Sequence, residues 1–204
     1  MPKDIDLDKT KDLRANYKLI SSTSQPVYTS SLSINNPTMP TVTEDIAVSY
    51  NKCGKRFSVN TGAQTFGSGS TPYLRAAITI PANLTMYLDR LRAGATATSI
   101  ITLWSLSSNP VGSTNSMSRI CTNVGSGKTS SITAAYFDIS ATSFSAIPTN
   151  TLILTIVLTS GTYETDLGGR IIFPSSSYLG IQVQNTTASG TGVYCMINAS
   201  WWEV

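Results

Sequence analysis

From residue 45 onward the chain consists of short runs rich in Val, Ile, Thr and Tyr, cut at close intervals by Ser, Gly, Asn and Pro. Within the runs apolar and polar residues alternate. Alternation at period two sends successive side chains to opposite faces of a strand, so each run buries one face and needs a second layer to cover it. The predicted strands are Ile46–Tyr50, Arg56–Val59, Tyr73–Ile80 (stopped by Pro81), Ser99–Leu106, a weaker Met117–Cys121, Ser131–Ile139, the apolar run Thr151–Thr159, Arg170–Phe173 and Leu179–Gln184. Between Leu84 and Ala93 the pattern changes phase. Leu84, Met86 and Leu88 share one face and Leu91 and Ala93 the other, which predicts a bulge near Leu88-Asp89. With the closing run 193–202, and the weakest runs discounted, these make about nine or ten strands, the spacing of a sandwich or jelly roll. Residues 62–72 are expected to form a loop, and a helix over 134–146 is marginal on propensity. A hydrophobic content of 41% in this regular pattern excludes a disordered body.

The closing stretch, GVYCMINASWWEV, places Val193, Cys195, Ile197, Ala199 and Trp201 on one face and Tyr194, Met196, Asn198, Ser200 and Trp202 on the other. The first face suits a core. Trp202 is expected to point outward, where a large ring gains most by packing against a partner. Trp202 and Tyr178 are therefore the candidate residues for an oligomer interface or a ligand contact, a stacked sugar being the ligand considered.

The chain divides into an extended arm, residues 1–45, and a single β-sandwich domain, residues 46–204. Nine of the 25 charged residues lie in the first 18 positions with both signs mixed, so the segment is not a phosphate-binding arm. Residues 21–43 are a Ser/Thr/Pro stretch in which Pro26, Pro37 and Pro40 disfavour helix. The start of the chain has no apolar signal-peptide core, and no run reaches the length that spans a bilayer. Ser and Thr make 57 of 204 residues and only 12% are charged, a surface suited to an assembly or to life outside a cell. The expectation is synthesis in the cytosol without export. A net charge of +3, scattered, gives no ground for nucleic-acid binding. Of the three cysteines, Cys195 falls on the core face and reads as a buried thiol. Cys53 and Cys121 have two readings, free thiols or a bridge, and nothing in their spacing asks for the bridge.

Chemistry is sparsely represented. The chain has no histidine, which removes the usual general base and the commonest metal ligand. No metal or cofactor is expected, and no catalytic residue is assigned. Glu164-Thr-Asp166 reads as a solvated turn. GSGKTSS (125–131) lacks the leading Gly of a phosphate loop, position 122 being Thr, and its flanks are not a βαβ unit. Lys52, Lys55 and Arg56 are the one basic cluster of the body and read as a solvated hairpin.

An arm followed by one β-domain, with late strands GGRIIFPSSSYLGIQVQNTT closing on INASWWEV, resembles structural proteins of tailed bacteriophages and prophages. These include capsid decoration proteins, head fibres and tail or baseplate modules with a jelly-roll-like sandwich. The resemblance covers roughly residues 70–204, rests on the texture of these strands, and transfers no functional residue. It implies a non-enzymatic virion structural protein, a homotrimer, attached to other virion proteins through residues 1–45. The alternative it implies is a receptor- or carbohydrate-binding module of a tail fibre or baseplate, with a host surface glycan as ligand. Neither version involves nucleic acid or a membrane.

Overall fold

A computed structural model describes residues 46–67, 72–113, 115–187 and 192–204, with side chains from Val48. The proposed arm, residues 1–45, lies outside the described residues. The body is an all-β sandwich of two antiparallel sheets. Its elements are a short helix α1 (Ile46–Lys52) and twelve strands: β1 (Arg56–Asn60), β2 (Gln64–Thr65), β3 (Tyr73–Thr79), β4 (Met86–Ala95), β5 (Ser99–Leu106), β6 (Asn115–Ser116), β7 (Ile120–Cys121), β8 (Ala134–Ser140), β9 (Thr151–Leu158), β10 (Gly161–Phe173), β11 (Tyr178–Asn185) and β12 (Tyr194–Glu203). The first sheet runs β10-β4-β12-β1-β7, with β2 added to β12, and the second runs β6-β8-β3-β11-β5-β9.

The pairings nest. β5 pairs with β9, β4 with β10, β3 with β11 and β1 with β12, so early strands meet late ones as a long hairpin wrapped around a barrel-like core. That wrapping, eight strands in two four-stranded layers, is the jelly roll. The segment between β5 and β9 is an insertion that crosses the molecule and adds β8 and β6 beyond β3 and β7 beyond β1.

The core lies between the sheets. Leu74, Ala76 and Ile78 of β3, Ile101 and Leu103 of β5 and Leu179, Ile181 and Val183 of β11 face Leu88, Leu91 and Ala93 of β4 and Ile197, Ala199 and Trp201 of β12. The alternation expected in β12 is borne out, with Trp201 wholly buried. Truncating it to Ala would cost about 3–5 kcal/mol. The phase change in β4 is real as well. The register against β12 slips between Ser200 and Trp201, leaving Asp89 as the extra residue of a bulge, so Leu88 and Leu91 both face the core. The second face of β5 also buries. Trp104 and Leu106 join Ala77, Val111 and Phe144 in a smaller cluster on the outside of the second sheet. Phe144 is held there by its N–H, which donates to Gln182 Oε1 at 2.9 Å, and by its carbonyl, which accepts from Asn150 Nδ2 at 2.9 Å.

Four local readings are changed or decided by the structure. Residues 46–50 are helical rather than the first strand. The helix is closed by the turn NKCGK: the Lys55 N–H reaches the Tyr50 carbonyl at 2.9 Å, the Gly54 N–H reaches the Asn51 carbonyl at 3.0 Å, and Gly54 sits at φ 66°. This pair of bonds needs a left-handed residue just past the helix, and glycine supplies it. A five-residue apolar run could not distinguish one helical turn from a strand. Residues 161–166, expected as a turn around Glu164 and Asp166, are instead the first half of the 13-residue β10. Gln64–Thr65, within the expected 62–72 loop, forms the two-residue β2. The marginal helix over 134–146 is β8 followed by one 3-10 turn, Phe144–Ala146.

Candidate interaction surface

Trp202 lies on the outer face of the first sheet but is not open to solvent. Its ring is stacked between Tyr50 of α1 (centroids 5.3 Å, 12° between planes) and Tyr87 of β4 (6.0 Å, 15°). The edge of the indole lies over Gly169, in the β10 bulge between Asp166 and Ile171. Only 4% of Trp202 is exposed. The outward direction is as expected from the alternation; the open ring is not, because residues 46–52 form the helix α1 in place of a strand and Tyr50 stacks over it. Tyr178 is half-buried and packs against the outer cluster of Trp104 and Phe144. The two candidate residues thus lie on opposite sheets, and the fold does not bring them together.

The buried charged groups are engaged within the chain. Arg56 of the basic cluster donates through Nε to Asp89 Oδ2 at 2.8 Å and also through Nη2, and Ser200 Oγ reaches the same oxygen at 3.2 Å. The bulge thereby buries a carboxylate that is paired and hydrogen-bonded, which burial of a charge demands. Arg75 holds Asp138 through Nε at 2.8 Å and Nη2 at 2.6 Å, with its guanidinium carbon 5.4 Å from the Phe144 ring centre. Glu203, also buried, accepts from the Ser131 N–H at 2.9 Å, Trp201 Nε1 at 3.0 Å and the Ser130 hydroxyl. The 125–131 loop is therefore fastened to the last strand through Ser130 and Ser131. Across β4 and β10, Arg90 meets Glu164 at 3.1 Å and Asp166 at 3.9 Å, and Arg92 meets Glu164 at 3.8 Å. These cross-strand pairs let two acids sit in a strand despite their poor β-propensity. All five described side-chain carboxylates thus have partners.

The thiols are unbridged: Cys53 is exposed, while Cys121 and Cys195 are buried. Burial pushes the Cys195 thiol up to about 12, so it stays protonated and is no nucleophile at neutral pH. Among the described residues no three His, Cys, Asp or Glu side chains cluster as metal ligands. No described helix is long and apolar enough to cross a membrane.

The surface that stands out is one side of the sandwich. β9 ends the second sheet and β10 ends the first, and the two edges lie one over the other. Along them Leu152 (49%), Ile153 (40%), Val157 (69%), Tyr163 (36%) and Ile172 (52%) are exposed, and Leu154, Ile156, Leu158, Leu167 and Ile171 are only partly covered at the mouth of the core. The most continuous apolar run of the sequence is therefore an edge strand. Periodicity could not reveal that, because edge position depends on which strands pair. The opposite side is blunted, its outermost strands β6 and β7 having two residues each. Compared with family models, with curated proteins and with solved structures, the chain matches none.

Proposed function

We propose that this chain is a non-enzymatic structural subunit of a virus particle of the tailed-phage kind, a decoration, head-fibre or adaptor protein. In this reading residues 46–204 are the self-associating body and residues 1–45 the attachment segment. The observation that carries it is the open side of the jelly roll, where two long edge strands bearing exposed aliphatic side chains have no covering layer among the described residues. Monomers rarely keep such edges bare. The engagement of every described side-chain carboxylate and the inert Cys195 thiol further support a role without catalysis. Jelly rolls are shared by capsid proteins and lectins, and fold alone does not choose between them. The burial of Trp202 under Tyr50 and Tyr87 takes away one of the two rings on which the glycan reading stood, and the other, the half-buried Tyr178, lies on the opposite sheet, so the structural role is favoured.

The test is attachment. Particles lacking the chain are incubated with the full chain or with a variant missing residues 1–45, then separated by density. The full chain should co-sediment and the shortened one should stay in solution. Equal decoration by both would refute the role given to residues 1–45.

A further inference from the structure

The open side has a pattern that fits one particular occupant. β9 hydrogen-bonds to β5 alone, and no residue of β9 has a further hydrogen-bonding partner among the described residues. Its other row of N–H and C=O groups faces outward over eight residues. Two of the usual protections are missing, β9 having no charge and no proline, and its one irregularity is the register shift against β5 that leaves Ile153 as an extra residue near the start of the strand.

The sequence Thr-Leu-Ile-Leu-Thr-Ile-Val-Leu is also close to self-complementary about Thr155. Antiparallel pairing of two such strands on a two-fold axis through Thr155 sets Thr155 opposite its own copy, Leu154 opposite Ile156, and Ile153 opposite Val157. Every pair is apolar or hydroxyl-matched and no charge opposes another. Leu154 and Ile156 pair with Leu103 and Ile101 of β5, which face the core, so the two cores would meet across the axis. The acids of neighbouring β10 are neutralised within the chain by Arg90 and Arg92, so they do not oppose a second copy.

Of the exposed apolar side chains, Leu152, Ile153 and Val157 belong to β9 itself and present roughly 300 Å² of surface. With the partly covered Leu154, Ile156 and Leu158 this is less than the roughly 800 Å² per partner of a standard interface, so the main-chain hydrogen bonds of the paired edges carry much of the contact.

We propose that a second copy of this chain covers the open side, with β9 pairing antiparallel to β9 of the partner so that the two second sheets become one continuous sheet of twelve strands. This deepens the assembly reading above and rests on it, and it replaces the three-fold expected from the resemblance with a two-fold.

The experiment uses the full chain. Light scattering should give about twice the 21.7 kDa chain mass, 2 × 21.7 = 43.4 kDa. Val157→Lys, at a position already mostly exposed, should fall to the single-chain mass with an unchanged circular dichroism spectrum. In a Cys53→Ser background, Thr155→Cys should form a disulfide-linked dimer under mild oxidation, since directly opposed antiparallel residues lie within disulfide range. A monomer at tens of micromolar, a trimer, a dimer indifferent to Val157→Lys, or no cross-link in the Thr155→Cys variant would each overturn the pairing. Coverage of β9 by residues 1–45 would appear as the monomer. A negative result here leaves the attachment assay untouched, so failure of the pairing and failure of the structural role can be told apart.

Discussion

Replacing Gly169 by alanine should separate two costs that the β10 bulge now avoids. Gly169 has φ 71°, and an added Cβ would stand 2.1 Å from Trp202 Cζ2 and 2.6 Å from Cη2. Normal carbon–carbon contact is about 3.5–4.0 Å, so the ring or the strand must move by more than an ångström. Tyr50 and Tyr87 flank the ring and resist that shift. The left-handed backbone costs an alanine about 1–2 kcal/mol, and overpacking typically adds about 1–3 kcal/mol. The expected loss is therefore about 2–5 kcal/mol. Gly168 next door is the control. Its φ is 53°, yet the nearest atom to an added Cβ is Asp166 Oδ1 at 3.9 Å, so Gly168→Ala should lose only the backbone part. Equilibrium urea unfolding, followed by circular dichroism and tryptophan fluorescence, measures both. A double mutant joining Gly169→Ala to Trp202→Leu should recover about 1–3 kcal/mol of coupling. If Gly168→Ala and Gly169→Ala cost the same, or the coupling is nil, the indole does not lie on this glycine and the reasoning fails.

Tyr50→Ala should uncover Trp202, shifting its emission to the red and lowering stability by about 1–2 kcal/mol; an unshifted spectrum would mean that α1 does not cover the ring. Glu203→Gln weakens the acceptor for Ser130, Ser131 and Trp201 and should cost about 1–3 kcal/mol, with faster tryptic cutting after Lys128 in the native state. Unchanged cutting would show that the 125–131 loop is held by something else. The Cys195 thiol is raised to about 12 in the fold, so between its unfolded value near 9 and that value the native state holds the extra proton and stability falls as pH rises. The difference between the wild-type and Cys195→Ala stability curves should therefore be flat below about pH 9 and slope above it. A difference that stays flat to about pH 11 contradicts the burial argument. A thiol reagent at neutral pH should modify Cys53 and spare Cys195.

The class of fold was legible because the large aliphatic residues alternate wherever one strand face meets the core between the sheets, as with Leu74 and Ile78 of β3, Leu179, Ile181 and Val183 of β11 and Ile197 and Trp201 of β12. The β4 bulge was legible for the same reason, since Leu88 and Leu91 cannot both be core on an unbroken strand. What stayed hidden depends on long-range pairing. The acids at 164 and 166 look like turn residues until Arg90 and Arg92 are set beside them by the β4–β10 register. The run at 151–158 looks like a central strand until the order of the sheet leaves it at the edge. Trp202 was assigned to the right face, but its cover came from α1, whose only local sign was the glycine of NKCGK. The surface that now matters most, β9 with β10, was visible as composition and not as a surface.

The proposal that the chain is a building part of a particle is tested most directly by counting its copies in particles made by the genome that carries its gene. Quantitative mass spectrometry on gradient-purified, salt-washed particles should find it at a fixed copy number that is a multiple of two. Its absence from washed particles, or a trace that varies between preparations, would contradict the structural role.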